Sequence, residues 1–277
     1  MIKSIQIAYD DAFEKKCRFA AEAGFDTIAA NFDASKNISD EQWQKAPEHI
    51  NGILEKYRLK CVQSHLPYYD LRISAEELDD NMEKAMEWSI KTSGAIGVDW
   101  CVYHPRTAIN DGYSSKKALE INYEVISKYL DWAVKSDTAI ALENLPIFKG
   151  IIPIMPFYTA NYFDLIDLTD SFKTDKIGIC WDTGHANLMD FDQAKAIRNV
   201  GKRLKCTHIH NNFKDGDAHN PPETGNIDWK NVMAAFKDIG YDGPYTLEVH
   251  CRYQDDDELL RSFAKFCFDG LKYMETK

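Results

Sequence analysis

Short apolar runs that end in a metal-ligand side chain recur along this chain. LKCVQSH closes on His65, DWCVYH on His104, TAIALE on Glu143, IGICWD on Asp182 and PYTLE on Glu248, while CTHIH carries His208. These six residues lie 39, 39, 39, 26 and 40 positions apart. An interval near 39 residues holds one strand, one helix and two turns. Strands that read as unbroken apolar runs are buried on both faces, which requires parallel pairing with helical crossovers. When the polar residue always falls at the same end of the run, those ends share one face of the sheet. The expected fold is therefore α/β, a single (β/α)8 barrel over residues 1–277, with its chemistry at the C-terminal mouth. A chain of 277 residues is the size of one such barrel and needs no second domain.

The remaining strands and their helices complete the count. KSIQIAY is the first strand; the helix after it opens at Asp10, buries Phe13, Cys17 and Ala20 on one face and stops at Gly24. FDTIAA is the second, followed by a helix from about Ser39 to Tyr57. LKCVQSH is followed by a helix from Ala75 to about Ser93, and DWCVYH by one over Ser115–Ser136, where Leu119, Tyr123, Ile126 and Leu130 keep helical spacing. KIGICWD, RLKCTHIH and PYTLEVH are strands six to eight, with a last helix from about Asp256 to Tyr273. The loop after Glu143, NLPIFKGIIPIMPFYTA, is apolar and contains three prolines, so residues 144–160 are expected to form a lid or pocket wall rather than regular structure.

Composition narrows the function. A formal charge of −11 disfavours a broad nucleic-acid footprint, which draws on clustered Lys and Arg. No apolar run is long enough to span a bilayer and no leader precedes Ile2, so a soluble, cytoplasmic protein acting on a small molecule is expected, with self-association left open. None of the seven cysteines sits in a CxxC pair, and Cys61, Cys101, Cys180 and Cys206 fall inside strands. Buried reduced thiols are expected rather than disulfides or a zinc ribbon.

Glu143, Asp182, His208 and Glu248 arrive from the fifth to eighth strands in order and so sit side by side around half the mouth. Three carboxylates and an imidazole suit one divalent ion of intermediate hardness: Mn²⁺, Co²⁺, Zn²⁺ or Mg²⁺. Each alone reads as a polar strand end; four in succession do not, because carboxylates are seldom buried without partners. His208 and His210 lie two apart and point to the same side; His208 is the deeper and the better ligand, with His210 either a substrate contact or a packed mouth residue. Trp100, Trp181 and Trp229 are candidate stacking faces for a substrate, although ordinary core or rim packing is the better reading of each.

SHLPYYD at His65, VYHP at His104, ALEN at Glu143, WDTGHANL at Asp182, THIHNN at His208, DAHNPPETGNIDW and LEVH at Glu248 together resemble the xylose isomerase-like TIM barrels over nearly the whole chain. That family includes sugar and sugar-phosphate isomerases and epimerases and, as cousins, the apurinic-site endonucleases. The resemblance implies that Glu143, Asp182, His208 and Glu248 hold one divalent metal and that Glu143 and Glu248 act as the acid–base pair of a sugar or sugar-phosphate epimerisation. It also makes His185, in DTGH, a contact to substrate oxygen, and places His65, His104, His210 and Lys214 among the expected substrate-binding residues. The chain departs from the ketose 3-epimerases at Lys149 and Lys214, where they carry a glutamate and an arginine for substrate hydroxyls; two lysines there would suit a phosphate or carboxylate. The rival implied by the same resemblance is a three-zinc phosphodiesterase: His65, His104 and Glu143 on one ion, the Glu143–Asp182–His208–Glu248 set on a second, and His185, Asp217 and His219 on a third. The acidic balance and the apolar loop after Glu143 rank it below the isomerase.

Overall fold

The computed structural model describes residues 1–72, 79–107, 114–147, 157–252 and 254–277. Eight parallel strands, β1 (Ile2–Ala8), β2 (Thr27–Asn31), β3 (Lys60–His65), β4 (Trp100–Tyr103), β5 (Ala139–Glu143), β6 (Ile177–Asp182), β7 (Leu204–Ile209) and β8 (Pro244–Leu247), close in sequence order, with β8 hydrogen-bonded back to β1. Closure leaves no sheet edge exposed. The helices are α1 (Phe13–Ala23), α2 (Asp40–Tyr57), α3 (Asp80–Ala95), α4 (Ser115–Lys135), α5 (Tyr162–Ser171), α6 (Thr183–Leu188), α7 (Gln193–Val200), α8 (Trp229–Asp238) and α9 (Asp257–Met274). The expected (β/α)8 barrel is what the chain forms.

One helix start differs from the sequence expectation. Asp10 does not open α1: its Oδ1 accepts the Ala12 N–H at 2.9 Å, a local turn that competes with the helix, which begins at Phe13. It ends where expected, at Gly24, whose φ of 113° is left-handed. The third helix begins at Asp80 because the Asp79 side chain accepts the Met82 N–H and caps it; the expected start at Ala75 lies outside the described residues. The capping box Ser39–Gln42 fixes the start of α2 as expected.

The apolar core lies between the barrel and its helices and takes the outward strand residues Ile5, Ile7, Ile28, Ile140, Leu142, Ile179, Ile209 and Leu247. Inside the barrel, Val102, Ala141, Cys180 and Cys206 form a separate small cluster with Trp100 beneath it. All seven cysteines are free, and six are buried. Among the described residues no helix is long and apolar enough to cross a membrane.

Candidate metal centre

Strand parity carries the inner cluster up to the site. Two residues beyond Val102, Ala141, Cys180 and Cys206, on the same face, stand His104, Glu143, Asp182 and His208. The shift in register between Ile179 and Cys180 sets Asp182 directly opposite His208 across β6 and β7. Glu248 follows the last residue of β8, and His65 ends β3. Gln6 and Asn31 take the matching places on β1 and β2, two beyond the inward Ser4 and Ala29.

Donor atoms of Glu143, Asp182, His208 and Glu248 all lie within 4.8 Å of one another. His208 Nδ1 is 3.2 Å from Glu143 Oε2, 3.1 Å from Glu248 Oε2 and 3.9 Å from Asp182 Oδ2. Yet neither His208 nitrogen makes a hydrogen bond, and Glu143 Oε1 and Asp217 Oδ1 are likewise buried without a hydrogen-bond partner. Buried polar atoms rarely go unsatisfied. The orphaned His208 Nδ1, set at this spacing from three carboxylates, fits a divalent cation, and the hard-to-intermediate donor set fits the ions expected.

Two further groups flank this one. His65, His104 and Glu143 form the first: His65 Nε2 is 3.2 Å from His104 Nε2, and the two reach Glu143 Oε2 at 3.5 and 3.1 Å. His185, His210, Asp217 and His219 form the second. Asp217 Oδ2 is 3.2 Å from both His185 Nε2 and His219 Nε2. The loop that carries Asp217 and His219 is folded back by the antiparallel bridge between Asn211 and Asn220, and His219 adopts a left-handed φ of 46°. Such backbone strain in a non-glycine residue belongs where surrounding contacts over-determine it. Asp182 joins the groups: Oδ1 caps α6 through the His185 N–H at 2.6 Å, and Oδ2 accepts His210 Nε2 at 2.9 Å. Gly184 makes the His210 position accessible, since a Cβ there would lie 1.9 Å from the ring.

The charges respond to one another. Burial alone would raise the Glu143 and Glu248 carboxyls, but His208 beside both, with His104 near Glu143 and His219 near Glu248, holds them well below the usual range. Burial would lower His208 and His185, but Glu248 and Glu143 around the first, and Asp182 and Asp217 around the second, raise both well above the ordinary histidine value. His219 is pushed up to about 9 against its burial, chiefly by Asp217 and Glu248. His104 is lowered by burial despite Glu143, which keeps its lone pair available.

Above the groups opens a cavity of about 610 Å³, lined in part by Tyr68, Arg72, Leu145, Phe157, Asp217 and Glu248. Its size suits a small molecule. Of the expected substrate contacts, His104 and His185 line it; His65 and His210 are buried beneath, and Lys214 is exposed outside its lining. Lys149 and residues 148–156 of the expected lid lie outside the described residues, while Leu145, Pro146 and Phe157 at its two ends wall the cavity. The tryptophans are packing residues. Trp181 is fully buried with its Nε1 bonded to Gln193, Trp229 gives its N–H to the Pro222 carbonyl, and Trp100 sits at the opposite end of the barrel. Sequence reading passed over Gln6, Asn31, Tyr68 and His250. For Asn31 a signal existed: it is the polar residue that closes its strand, as at the recognised sites, whereas Gln6 lies in a strand that also carries Lys3 and Ser4 and so stands out less. His250 stacks on His219 at 4.3 Å between ring centres and lines the cavity.

A family model described as xylose isomerase-like TIM barrel matches residues 17–267. The chain belongs to that family. It is 34% identical over 246 residues, 87% of this chain and 71% of the other, to the uncharacterized protein y4fM of Sinorhizobium fredii. It is 24% identical to the L-ribulose 3-epimerase of a Methylomonas species over 83% of this chain and 75% of that protein. Its fold is also that of an AP endonuclease, family 2, from Brucella melitensis, with a TM-score of 0.70 at 18% identity, covering 100% of this chain and 99% of the other.

Proposed function

We propose that this chain is a divalent-metal-dependent isomerase or epimerase of a small polyhydroxy carbonyl compound. The observation that carries the reading is the convergence of Glu143, Asp182, His208 and Glu248 within 4.8 Å under a cavity of sugar size. Those four residues would hold the cation, which supplies Lewis-acid polarisation of a carbonyl and fixes the neighbouring hydroxyl oxygen. Glu143, at the end of β5, and Glu248, just past β8, are both held well below the usual carboxylate range, so either can serve as the base that takes the proton from the carbon next to the carbonyl. The carboxylate that took the proton can hand it to the neighbouring carbon, which moves the carbonyl; inversion instead needs the other carboxylate to take a proton from solvent and deliver it to the opposite face of the same carbon. His185 and His104 line the cavity where substrate hydroxyls would lie, and Leu145, Pro146 and Phe157 give it an apolar wall.

A second reading has its own support. The groups His65–His104–Glu143 and His185–His210–Asp217–His219 would let the chain hold more than one ion, and multi-metal clamps suit phosphoester displacement. The apolar wall and the net charge of −11 weigh against a nucleic-acid substrate. One experiment divides the two. Deuterium incorporation from solvent is followed across ketoses, aldoses and their phosphates beside an abasic-site duplex, with metal counted per chain. Exchange with one bound ion is the expected result; metal-dependent strand cleavage with three ions and no exchange overturns the isomerase reading.

A further inference from the structure

In Glu248 one oxygen faces His208 and the other is held by two neutral donors from outside the four-residue group. Its Oε2 faces His208 Nδ1 at 3.1 Å. Its Oε1 accepts Gln6 Nε2 at 2.7 Å and the Tyr68 hydroxyl at 3.0 Å. Gln6 lies on β1 and Tyr68 just past β3, in the half of the barrel that contributes none of the four candidate ligands.

The direction of both bonds is determined by what surrounds them. Tyr68 Oη receives a bond from Asn31 Nδ2 at 3.3 Å, and Asn31 is oriented by the Asp33 N–H on its Oδ1 at 2.8 Å. Asp33 Oδ1 in turn accepts the Tyr68 N–H at 2.9 Å, and the Tyr68 ring packs on His65 at 4.5 Å between centres. With an Asn31 donor already on its oxygen, Tyr68 gives its own proton to Glu248. For Gln6, turning the amide over would set its carbonyl against the carboxylate. The orientation it keeps leaves its Oε1 buried without a partner, a cost accepted only where the donor is well used.

We propose that Gln6 and Tyr68, with Asn31 behind Tyr68, are positioning residues that occupy Glu248 Oε1 and so commit Oε2 alone to the cation. This inference rests on the cation site proposed above. A carboxylate with two free oxygens can chelate an ion through both, which withdraws its basic lone pairs. Pinned through Oε1, Glu248 binds through one oxygen and keeps a fixed direction toward the cavity. Outer partners of this kind orient a ligating side chain, and their loss typically costs 10–100-fold in metal affinity or activity.

The test uses Co²⁺ bound to the metal-depleted full chain, since the position and intensity of its visible bands follow coordination number. Wild type, Tyr68→Phe, Gln6→Met and the double variant are titrated with Co²⁺ and compared by spectrum, by affinity and, with a turned-over sugar, by kcat and KM. We expect each single variant to bind Co²⁺ about 10-fold or more weakly, with a weaker, shifted visible band as Glu248 swings onto the ion through both oxygens, and kcat to fall with KM nearly unchanged. A merely structural role would leave the spectrum of the bound fraction unmoved. If wild type binds Co²⁺ with a defined spectrum and every variant reproduces its spectrum and affinity, the inference is overturned while the site stands. If wild type shows no Co²⁺ binding, the site itself is wrong and the inference falls with it. Should Tyr68→Phe fail to fold, Gln6→Met decides alone by the same readouts.

Discussion

Glu248 is the residue on which the proposed chemistry is most concentrated, because it is both ligand and proton carrier. Replacing it with Gln keeps an oxygen near the cation and removes the base. Glu248→Gln is expected to weaken metal binding modestly, measured by metal content after dialysis, and to lower solvent-deuterium exchange by several orders of magnitude, since the proton transfer itself is lost. The histidines make a second prediction. Without metal, His208 and His185 hold protons above the usual histidine range and His219 to about 9, against an ordinary value of 6.5. A raised value in the folded state means that the pairing stabilises the fold fully below pH 6.5 and is lost as pH rises through the raised value. Chelator-treated protein is therefore expected to lose thermal stability between about pH 6.5 and 9, whereas Glu143 and Glu248, held low, lose their contribution only in acid. Bound cation needs the histidines without protons, so its affinity rises over the same alkaline window and the stability loss disappears in metal-saturated protein. Thermal midpoints against pH, with and without chelator, check both signs.

At the scale of the element, α6 ties the groups together. It follows β6 without a loop, and Asp182 serves at once as the last strand residue, the helix cap and the partner of His210. That economy depends on Gly184, which leaves room for the His210 ring. Gly184→Ala is expected to displace His210 and loosen Asp182. The predicted cost is about 1–3 kcal/mol in urea unfolding of the metal-free chain, the usual range for overpacking, together with weaker metal binding. Unchanged metal affinity would show that His210 does not brace the centre. The loop carrying Asp217 and His219 illustrates what an element boundary hides. It is shaped by the bridge between Asn211 and Asn220, by the bonds of His219 to Glu248 and His250, and by a left-handed residue at His219, none of which has a periodicity to read.

For the whole molecule, ions that bind only the folded chain stabilise it by mass action. Adding Mn²⁺, Co²⁺ or Zn²⁺ at a hundred times its dissociation constant is expected to add about 2.7 kcal/mol per site, read as a rise in unfolding midpoint that EDTA reverses. The number of ions released per chain on unfolding separates one site from three. The sequence by itself determined the barrel, because strands buried on both faces at intervals near 39 residues have few other ways to pair, and parity placed Glu143, Asp182 and His208 on its inner face. It also marked Asp217 and His219, through resemblance to a known motif. Only the tertiary structure decided that Lys214 stands outside the cavity, that Trp100 lies at the far end of the barrel, and that Gln6 and Tyr68 reach Glu248 from β1 and β3. The physical reason is range. Strand and helix patterns follow from neighbours a few residues apart, whereas the Gln6–Glu248 bond joins residues 242 apart and exists only because the barrel closes β8 onto β1.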